Sequence, residues 1–314
     1  MGTICDPVLD KCHSLICATY AGQSQGTAIS NVLFGKVNPN GKLTATWYKD
    51  DSQLPHINDY GIRKADVLTQ DHGRTYWYFD EEPRFPFGYG LHYTTYEYNN
   101  LRLKETEMAN GTSLVASVDV TNTGKMAGKE IVELYVRKVV NEGTGEQPGD
   151  NKPFRQLKGF EKVSLAPGDT KTVTIEVPLR DITFWNYFRN KMCIEPGEYI
   201  VEIGSSSSDL PCSETFRITG EWDAPLSNVY VQSDRYFYLP GEKGSLKVVA
   251  TLEDTTRIQL DENNLTFTSS NEEIASVDSA GTITAKAPGT ASISVEVTYK
   301  GKTLKRIVPA AIKE

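Results

Sequence analysis

The chain has 314 residues, 39% of them hydrophobic and 10% aromatic, which excludes a disordered polypeptide and allows two or three domains with cores of their own. A formal net charge of -8 leaves no basic face for a phosphate backbone, so nucleic acid is not an expected partner. No apolar run approaches the roughly 18 residues needed to span a bilayer, so no membrane span is expected.

Residues 1–7 show neither the basic nor the apolar stretch of a secretory signal, which leaves the compartment open. The cysteines Cys5, Cys12, Cys17, Cys193 and Cys212 are odd in number and unevenly spread, which argues against a disulfide framework. Cys5, Cys12, His13 and Cys17 match no common zinc spacing, and Cys17 lies in an apolar run, so buried free thiols are expected rather than a metal. Nothing in the sequence calls for a metal or cofactor.

Residues 15–20 read as a short buried strand, Gly22 as a turn, and residues 27–34 as a helix that stops at Gly35. Pro39, Gly41, Pro55, Pro83 and Pro86 then punctuate a long irregular stretch. One strand and one short helix cannot close a two-layer core, so this segment reads as part of something larger.

From Tyr93 the period changes to two. Val115, Val118 and Val120, then residues 131–136, then Val173, Ile175 and Val177, then Tyr199, Val201 and Ile203, then Phe216 and Ile218 are strand-like. Turns are expected at residues 122–124, 166–168 and 195–197, and a hairpin loop at residues 205–208. Such a series of short strands indicates an antiparallel sandwich. A second set begins near Gly220, with strands expected at residues 229–231, 246–250, 265–268, 275–277, 282–285 and 291–297.

The candidate chemistry is sparse. Residues 35–43 approach a phosphate-binding loop, but one residue too many separates the glycines and Leu43 stands where a metal-binding hydroxyl belongs. Asp80, Glu81 and Glu82 could supply glycosidic carboxylates, yet adjacent residues before a proline fit a solvated turn better. His13, His56, His72 and His92 are dispersed, and no nucleophile elbow is present. Tyr76, Trp77, Tyr78 and Phe79 beside Arg74 could stack on sugar rings, although a plug across a hydrophobic seam explains them more simply. Asn110-Gly111-Thr112 and Asn264-Leu265-Thr266 fit the glycosylation sequon, a frequent chance match.

The order of several motifs resembles glycoside hydrolase family 3, the family of β-glucosidases and β-xylosidases. They are the turn at residues 20–28, Leu33-Phe34-Gly35, Asn38-Pro39-Asn40-Gly41-Lys42-Leu43, and Phe85-Pro86-Phe87-Gly88-Tyr89-Gly90-Leu91-His92. Thr46-Trp47-Tyr48 and Gly73-Arg74-Thr75-Tyr76 tilt the resemblance toward the β-xylosidase-like branch. Val118 to Gly124, Gly128-Lys129-Glu130 and Leu157-Lys158-Gly159-Phe160 are similar to the fibronectin type III-like domain that follows in that family. The last unit, with Ile274-Ala275-Ser276-Val277 and Gly281-Thr282-Ile283-Thr284-Ala285, resembles a bacterial group 2 Ig-like domain.

The resemblance implies a mainly β chain: a partial α/β sandwich segment at residues 1–92, a fibronectin type III-like sandwich at 93–220 and an Ig-like sandwich at 221–314. In the family the nucleophilic Asp lies in an N-terminal barrel of ~250 residues, and the acid/base Glu lies upstream of the Gln23 turn. No residue here takes either catalytic role, so the expectation is an accessory portion, inactive alone, of a retaining enzyme that removes terminal β-xylosyl or β-glucosyl residues. Its expected partners are the missing barrel and α/β half, with a β-linked xylo- or gluco-oligosaccharide bound by the complete enzyme. Arg74, Tyr76 and Trp77 are the candidate sugar-binding residues. The family and the Ig-like module imply a secreted, periplasmic or cell-surface place. A stand-alone carbohydrate- or cell-surface-binding protein, with residues 76–79 or 236–238 as the stacking platform, is the rival reading.

Overall fold

The computed structural model of the protein describes residues 9, 11–18, 20, 22–63, 73–109, 111–140, 153–186, 189–261 and 263–314. The chain divides into two units, one made of residues 1–184 and 194–221, the other of Trp185–Cys193 and Trp222–Glu314.

Helix α1 (Gln25–Leu33) starts two residues earlier than its apolar spacing indicates and ends one residue earlier, with Phe34 as its C-cap. Gly35 takes φ +66, a left-handed conformation that glycine adopts without strain, and its N–H bonds the Val32 carbonyl to close the helix. No residue of α1 is buried. The strand expected at residues 15–20 does not form among the described residues: Leu15 and Ile16 are 44% and 42% exposed. The reason is physical, since a strand needs a neighbour to satisfy its backbone, and none of the described residues before Tyr96 forms a named strand. Cys12 and Cys17 are likewise exposed free thiols, not buried ones; Cys5 lies outside the described residues. The other described residues of this segment are irregular, held by a 3-10 turn at Asp51–Gln53, a single helical turn α2 (Thr75–Tyr78) and a bridge between Trp47 and Phe85.

The strands that follow are β1 (Tyr96–Leu103), β2 (Glu107–Met108), β3 (Ser113–Asn122), β4 (Gly128–Lys138), β5 (Gln156–Leu165), β6 (Thr170–Pro178), β7 (Phe184–Asn186), β8 (Lys191–Cys193), β9 (Gly197–Gly204) and β10 (Cys212–Ile218). A three-stranded sheet in the order β1-β3-β6 and a five-stranded sheet in the order β2-β10-β9-β4-β5 make the sandwich. Every pairing within them is antiparallel except the short β2–β10 contact. Alternation along β3 sends Leu114, Ala116, Val118 and Val120 into the core at full burial. Val115, read from the sequence as a partner of Val118, points the other way because the side-chain period is two. Leu134, Val201, Ile203 and Phe216 complete this core from the second sheet.

The second unit carries β11 (Leu226–Ser233), β12 (Lys243–Leu252), β13 (Arg257–Ile258), β14 (Leu265–Ser269), β15 (Ala275–Val277), β16 (Thr282–Ala285), β17 (Gly289–Tyr299) and β18 (Lys302–Ile312). One sheet runs β11-β12-β16-β15 with β13 on β12, the other β14-β17-β18. Ile283, Ile293, Val295 and Ile312 are buried together with Tyr238 in one apolar cluster. Leu226, Val229, Ala250, Leu252 and Val297 form another. The β7–β8 hairpin belongs to this unit: Met192 N–H bonds the Asp254 carbonyl, and Lys191 Nζ reaches the buried Asp254 carboxylate at 3.2 Å. Burial pushes the Asp254 carboxyl up, but hydrogen bonds from Thr256 and Lys191 outweigh it and hold the group below the ordinary aspartate value.

Candidate functional site

Arg74 opens the single turn α2. Its guanidinium donates to the carbonyls of Gly61 and Asp59, and its backbone N–H to Ile62, so it stitches two loop stretches together. Thr75, next in sequence, takes φ +60, an uncommon conformation for a β-branched residue, and its N–H donates to the Tyr48 hydroxyl at 2.9 Å. Tyr76 stacks on Phe87 with ring centroids 4.5 Å apart and meets Tyr135 of β4 edge-on at 5.9 Å. Its hydroxyl accepts from the Leu157 N–H of β5 at 3.1 Å, and burial pushes that hydroxyl's pKa up. Trp77 is 37% exposed; its carbonyl accepts from Phe154 N–H, and its ring lies edge-on to Tyr76 and Tyr78.

Of the three residues proposed from the sequence for sugar contact, Trp77 is the exposed one, while Arg74 and Tyr76 are half-buried. Tyr76 packs in a seam between Phe87 and Tyr135 of the five-stranded sheet, as the plug reading expects of it, while Tyr78 and Phe79 are buried, Tyr78 edge-on to Trp77 and Phe79 edge-on to Tyr48. Replacing Tyr76 with Phe keeps the stack and removes the acceptor for Leu157 N–H. It should cost about 1–2 kcal/mol in urea unfolding; a change near zero would mean that the hydroxyl has no structural role.

The same seam holds a buried charge cluster not singled out as a site from the sequence. Glu130, on β4, is 1% exposed in its side chain and accepts at Oε1 from Lys42 Nζ at 2.9 Å and Tyr98 hydroxyl at 3.1 Å. His92 Nε2 lies 2.8 Å from Glu130 Oε2, and His92 Nδ1 lies 2.8 Å from the Pro39 carbonyl. Lys42 also donates to the Ser205 carbonyl at 2.9 Å. Burial pushes Glu130 up, but the His92 and Lys42 contacts together hold it below the usual carboxylate value. Glu133, further along β4, accepts from Tyr135 hydroxyl at 2.5 Å; burial wins there and its pKa is raised.

The β9–β10 loop locks onto this seam. Ser207 N–H donates to the Phe87 carbonyl at 2.9 Å, and Arg155 Nη1 donates to the Ser207 carbonyl at 2.6 Å. Glu202, from β9, faces Arg137 at 3.3 Å and Arg155 at 3.5 Å. Asn38 bonds the Ala127 carbonyl and receives Tyr93 N–H.

Glycosidic cleavage needs two carboxyl groups facing a sugar across open space. Glu130 has its oxygens occupied by protein donors, and Glu133 is covered by Tyr135 and Gly88, so neither is presented to a ligand. Lys42, the basic residue of the near phosphate loop, is committed to Glu130 and Ser205. Asp80, Glu81 and Glu82 lie exposed, with Glu82 paired to Lys49 and Glu81 to Gln53. The arrangement joins Asn38, Lys42, Phe87 and His92 to the sandwich.

Residues 2–93 match the glycosyl hydrolase family 3 C-terminal domain, residues 130–207 the fibronectin type III-like domain and residues 228–307 the bacterial Ig-like domain of group 2. A xylan 1,4-beta-xylosidase from Xylanibacter ruminicola is 38% identical over 203 residues, 65% of this chain and 21% of that protein. Thermostable beta-glucosidase B from Acetivibrio thermocellus is 39% identical over 216 residues, 68% of this chain and 28% of that protein. The structure of beta-glucosidase 3B from Thermotoga neapolitana in complex with glucose is similar over 64% of this chain and 27% of that one, with a TM-score of 0.52 and 34% identity. The chain thus spans between a fifth and a third of the length of these proteins. No helix among the described residues is long and apolar enough to cross a membrane. The chain therefore carries, in order, a region that matches the glycosyl hydrolase family 3 C-terminal domain, a fibronectin type III-like domain and a bacterial Ig-like domain of group 2.

Proposed function

We propose that this chain serves as the accessory part of a β-xylosidase or β-glucosidase, completing an α/β domain whose other half, with the catalytic barrel, supplies the reacting carboxylates. Residues 1–92, 93–220 and 221–314 are the proposed segments: the partial α/β domain, the brace and the distal module. The observation that carries the reading is the uncovered apolar face of the first segment. Helix α1 buries nothing, Phe34 at its end is 77% exposed, and Leu33, Ile57 and Tyr60 are exposed as well. Exposed apolar side chains of this kind favour a protein cover, and the match of residues 2–93 to a glycosyl hydrolase family 3 C-terminal domain supports reading that cover as the rest of such an enzyme.

In this arrangement Trp77 and Arg74 stand on the rim of the completed domain, with Trp77 offering a ring to the sugar and Arg74 fixing the loop that bears it. The sugar would be a β-linked xylo- or gluco-oligosaccharide.

The chain alone should show no turnover of aryl-β-xylosides or aryl-β-glucosides above buffer. Mixed with the barrel-bearing remainder of the Acetivibrio thermocellus beta-glucosidase, expressed as a separate polypeptide, it should form a complex that size-exclusion chromatography resolves. Leu33→Asp with Phe34→Asp should abolish the complex without altering the circular dichroism. Ordinary turnover by the isolated chain, or a complex indifferent to those substitutions, would overturn the reading.

A further inference from the structure

The loop between β11 and β12 of the second unit exposes aromatic surface that its own domain covers only in part. Tyr236 is 100% exposed, and Phe237 and Leu239 are about half exposed. Between them Tyr238 is buried and anchored: its N–H donates to the Ala311 carbonyl at 2.9 Å, its carbonyl accepts from Lys313 N–H at 2.9 Å, and its hydroxyl bonds Ser233 at 2.6 Å and Asp234 at 3.2 Å. Its ring lies so close to the backbone of Gly244 that any Cβ there would collide with it. Leu239 N–H donates to Glu242, and Arg235 pairs with Glu242 at 3.0 Å. The apolar side chains at 236, 237 and 239 therefore project from a fixed base. A prearranged platform avoids the ordering cost that a floppy loop would meet on binding.

We propose that Tyr236, Phe237 and Leu239 form a docking platform for a neutral β-linked polysaccharide, a site separate from any that acts on the scissile bond. The polymer class rests on the hydrolase reading given under the proposed function. The platform itself rests on the loop geometry.

Three features favour a neutral sugar polymer. A pyranose ring has an apolar C–H face that lies flat on an aromatic ring and hydroxyl edges that take donors and acceptors. Here two rings are flanked by Arg235, Glu242 and Lys313, with Lys313 Nζ 4.0 Å from the Phe237 centroid. The charges at the rim are largely paired with each other or with the ring, and the chain as a whole carries -8, so no field draws in an anionic surface. Three projecting side chains are also too few for the roughly 1,000 Å² that a stable protein interface needs, whereas repeated weak contacts along a polymer suffice.

The test is depletion of the full chain from solution by insoluble xylan and by microcrystalline cellulose, with phosphatidylglycerol–phosphatidylcholine vesicles as a parallel arm. The wild type should be retained on at least one polysaccharide and not on vesicles. Tyr236→Ala with Phe237→Ala should weaken retention about tenfold, and Tyr236→Trp should preserve it, with circular dichroism unchanged in both. No retention on either polysaccharide, retention unaffected by the double substitution, or vesicle binding lost on that substitution would each overturn the proposal. Because the assay reads neither turnover nor complex formation through Leu33 and Phe34, its failure is distinguishable from failure of the hydrolase reading.

Discussion

Lys42→Met is expected to destabilise the first unit by about 3–5 kcal/mol. The substitution keeps the aliphatic stem and removes the ammonium, leaving Glu130 charged, buried and answered only by His92 and Tyr98. It also orphans the Ser205 carbonyl, which receives Lys42 Nζ in the intact protein. Equilibrium urea unfolding read through hydrogen exchange of the β3, β4 and β9 amides measures the loss. Adding Glu130→Gln should recover part of it, because the charge left without a partner is then gone. A loss below about 1 kcal/mol would place this pair with ordinary surface ion pairs and remove the cluster as the joint's main support.

The pH dependence follows with a definite sign. Glu130 is held below the ordinary glutamate value of 4.5, so its contribution is present above that pH and is lost as pH falls through the folded-state value. Glu133, raised by burial, acts oppositely: its ionisation costs stability as pH rises from 4.5 toward its folded-state value. In Lys42→Met the Glu130 contribution shrinks, so the acid-side fall in stability should flatten. An acid limb as steep as in the wild type would sink the assignment of that fall to this pair.

Gly88→Ala should be nearly as damaging, through the backbone. Gly88 takes φ +82, which costs a residue with a Cβ roughly 1–2 kcal/mol. That Cβ would also run into the Glu133 carboxylate and the Ser206 backbone. The two effects together should exceed about 3 kcal/mol and lower the unfolding temperature by on the order of 6–12 °C. Gly41→Ala is the control from a neighbouring motif: Gly41 has nothing within 4 Å of an added Cβ and no positive φ. It should be tolerated. Equal effects at the two positions would show that the close approach at Gly88 relaxes freely.

The β-sandwiches were legible because their strands alternate cleanly between core and solvent. Residues 275–277 and 282–285 coincide with β15 and β16, and Val173, Ile175 and Val177 are all buried in β6. β5 and β18 escaped because their signal is mixed. β5 is exposed through its middle, and β18 contains Pro309 and several charged residues, tolerable on a strand at the end of its sheet. The charge cluster escaped for another reason. Lys42, His92 and Glu130 are distant in sequence, and a Gly-Lys-Glu start of strand reads as solvent-facing. Yet each lies in a stretch that carried the family resemblance, so the signal was present as motif without its meaning. Arg74 is a candidate ligand group on sequence because charge beside aromatics suggests recognition; in the fold its guanidinium donates to the carbonyls of Gly61 and Asp59, thirteen and fifteen residues upstream.

The second unit is assembled from two stretches of chain, Trp185–Cys193 and Trp222–Glu314. During synthesis the β7–β8 hairpin leaves the ribosome before Asp254, the residue that receives both Lys191 and the Met192 N–H. The hairpin therefore waits, without its partner, while the last strands of the first unit are made. The first unit has all its residues once Glu221 has emerged, whereas the second depends on a piece delivered early and used late. A protein dissected at Gly220 would separate that piece from Asp254, so the Ig-like module would lose a part that its own sequence match, residues 228–307, gives no hint of needing.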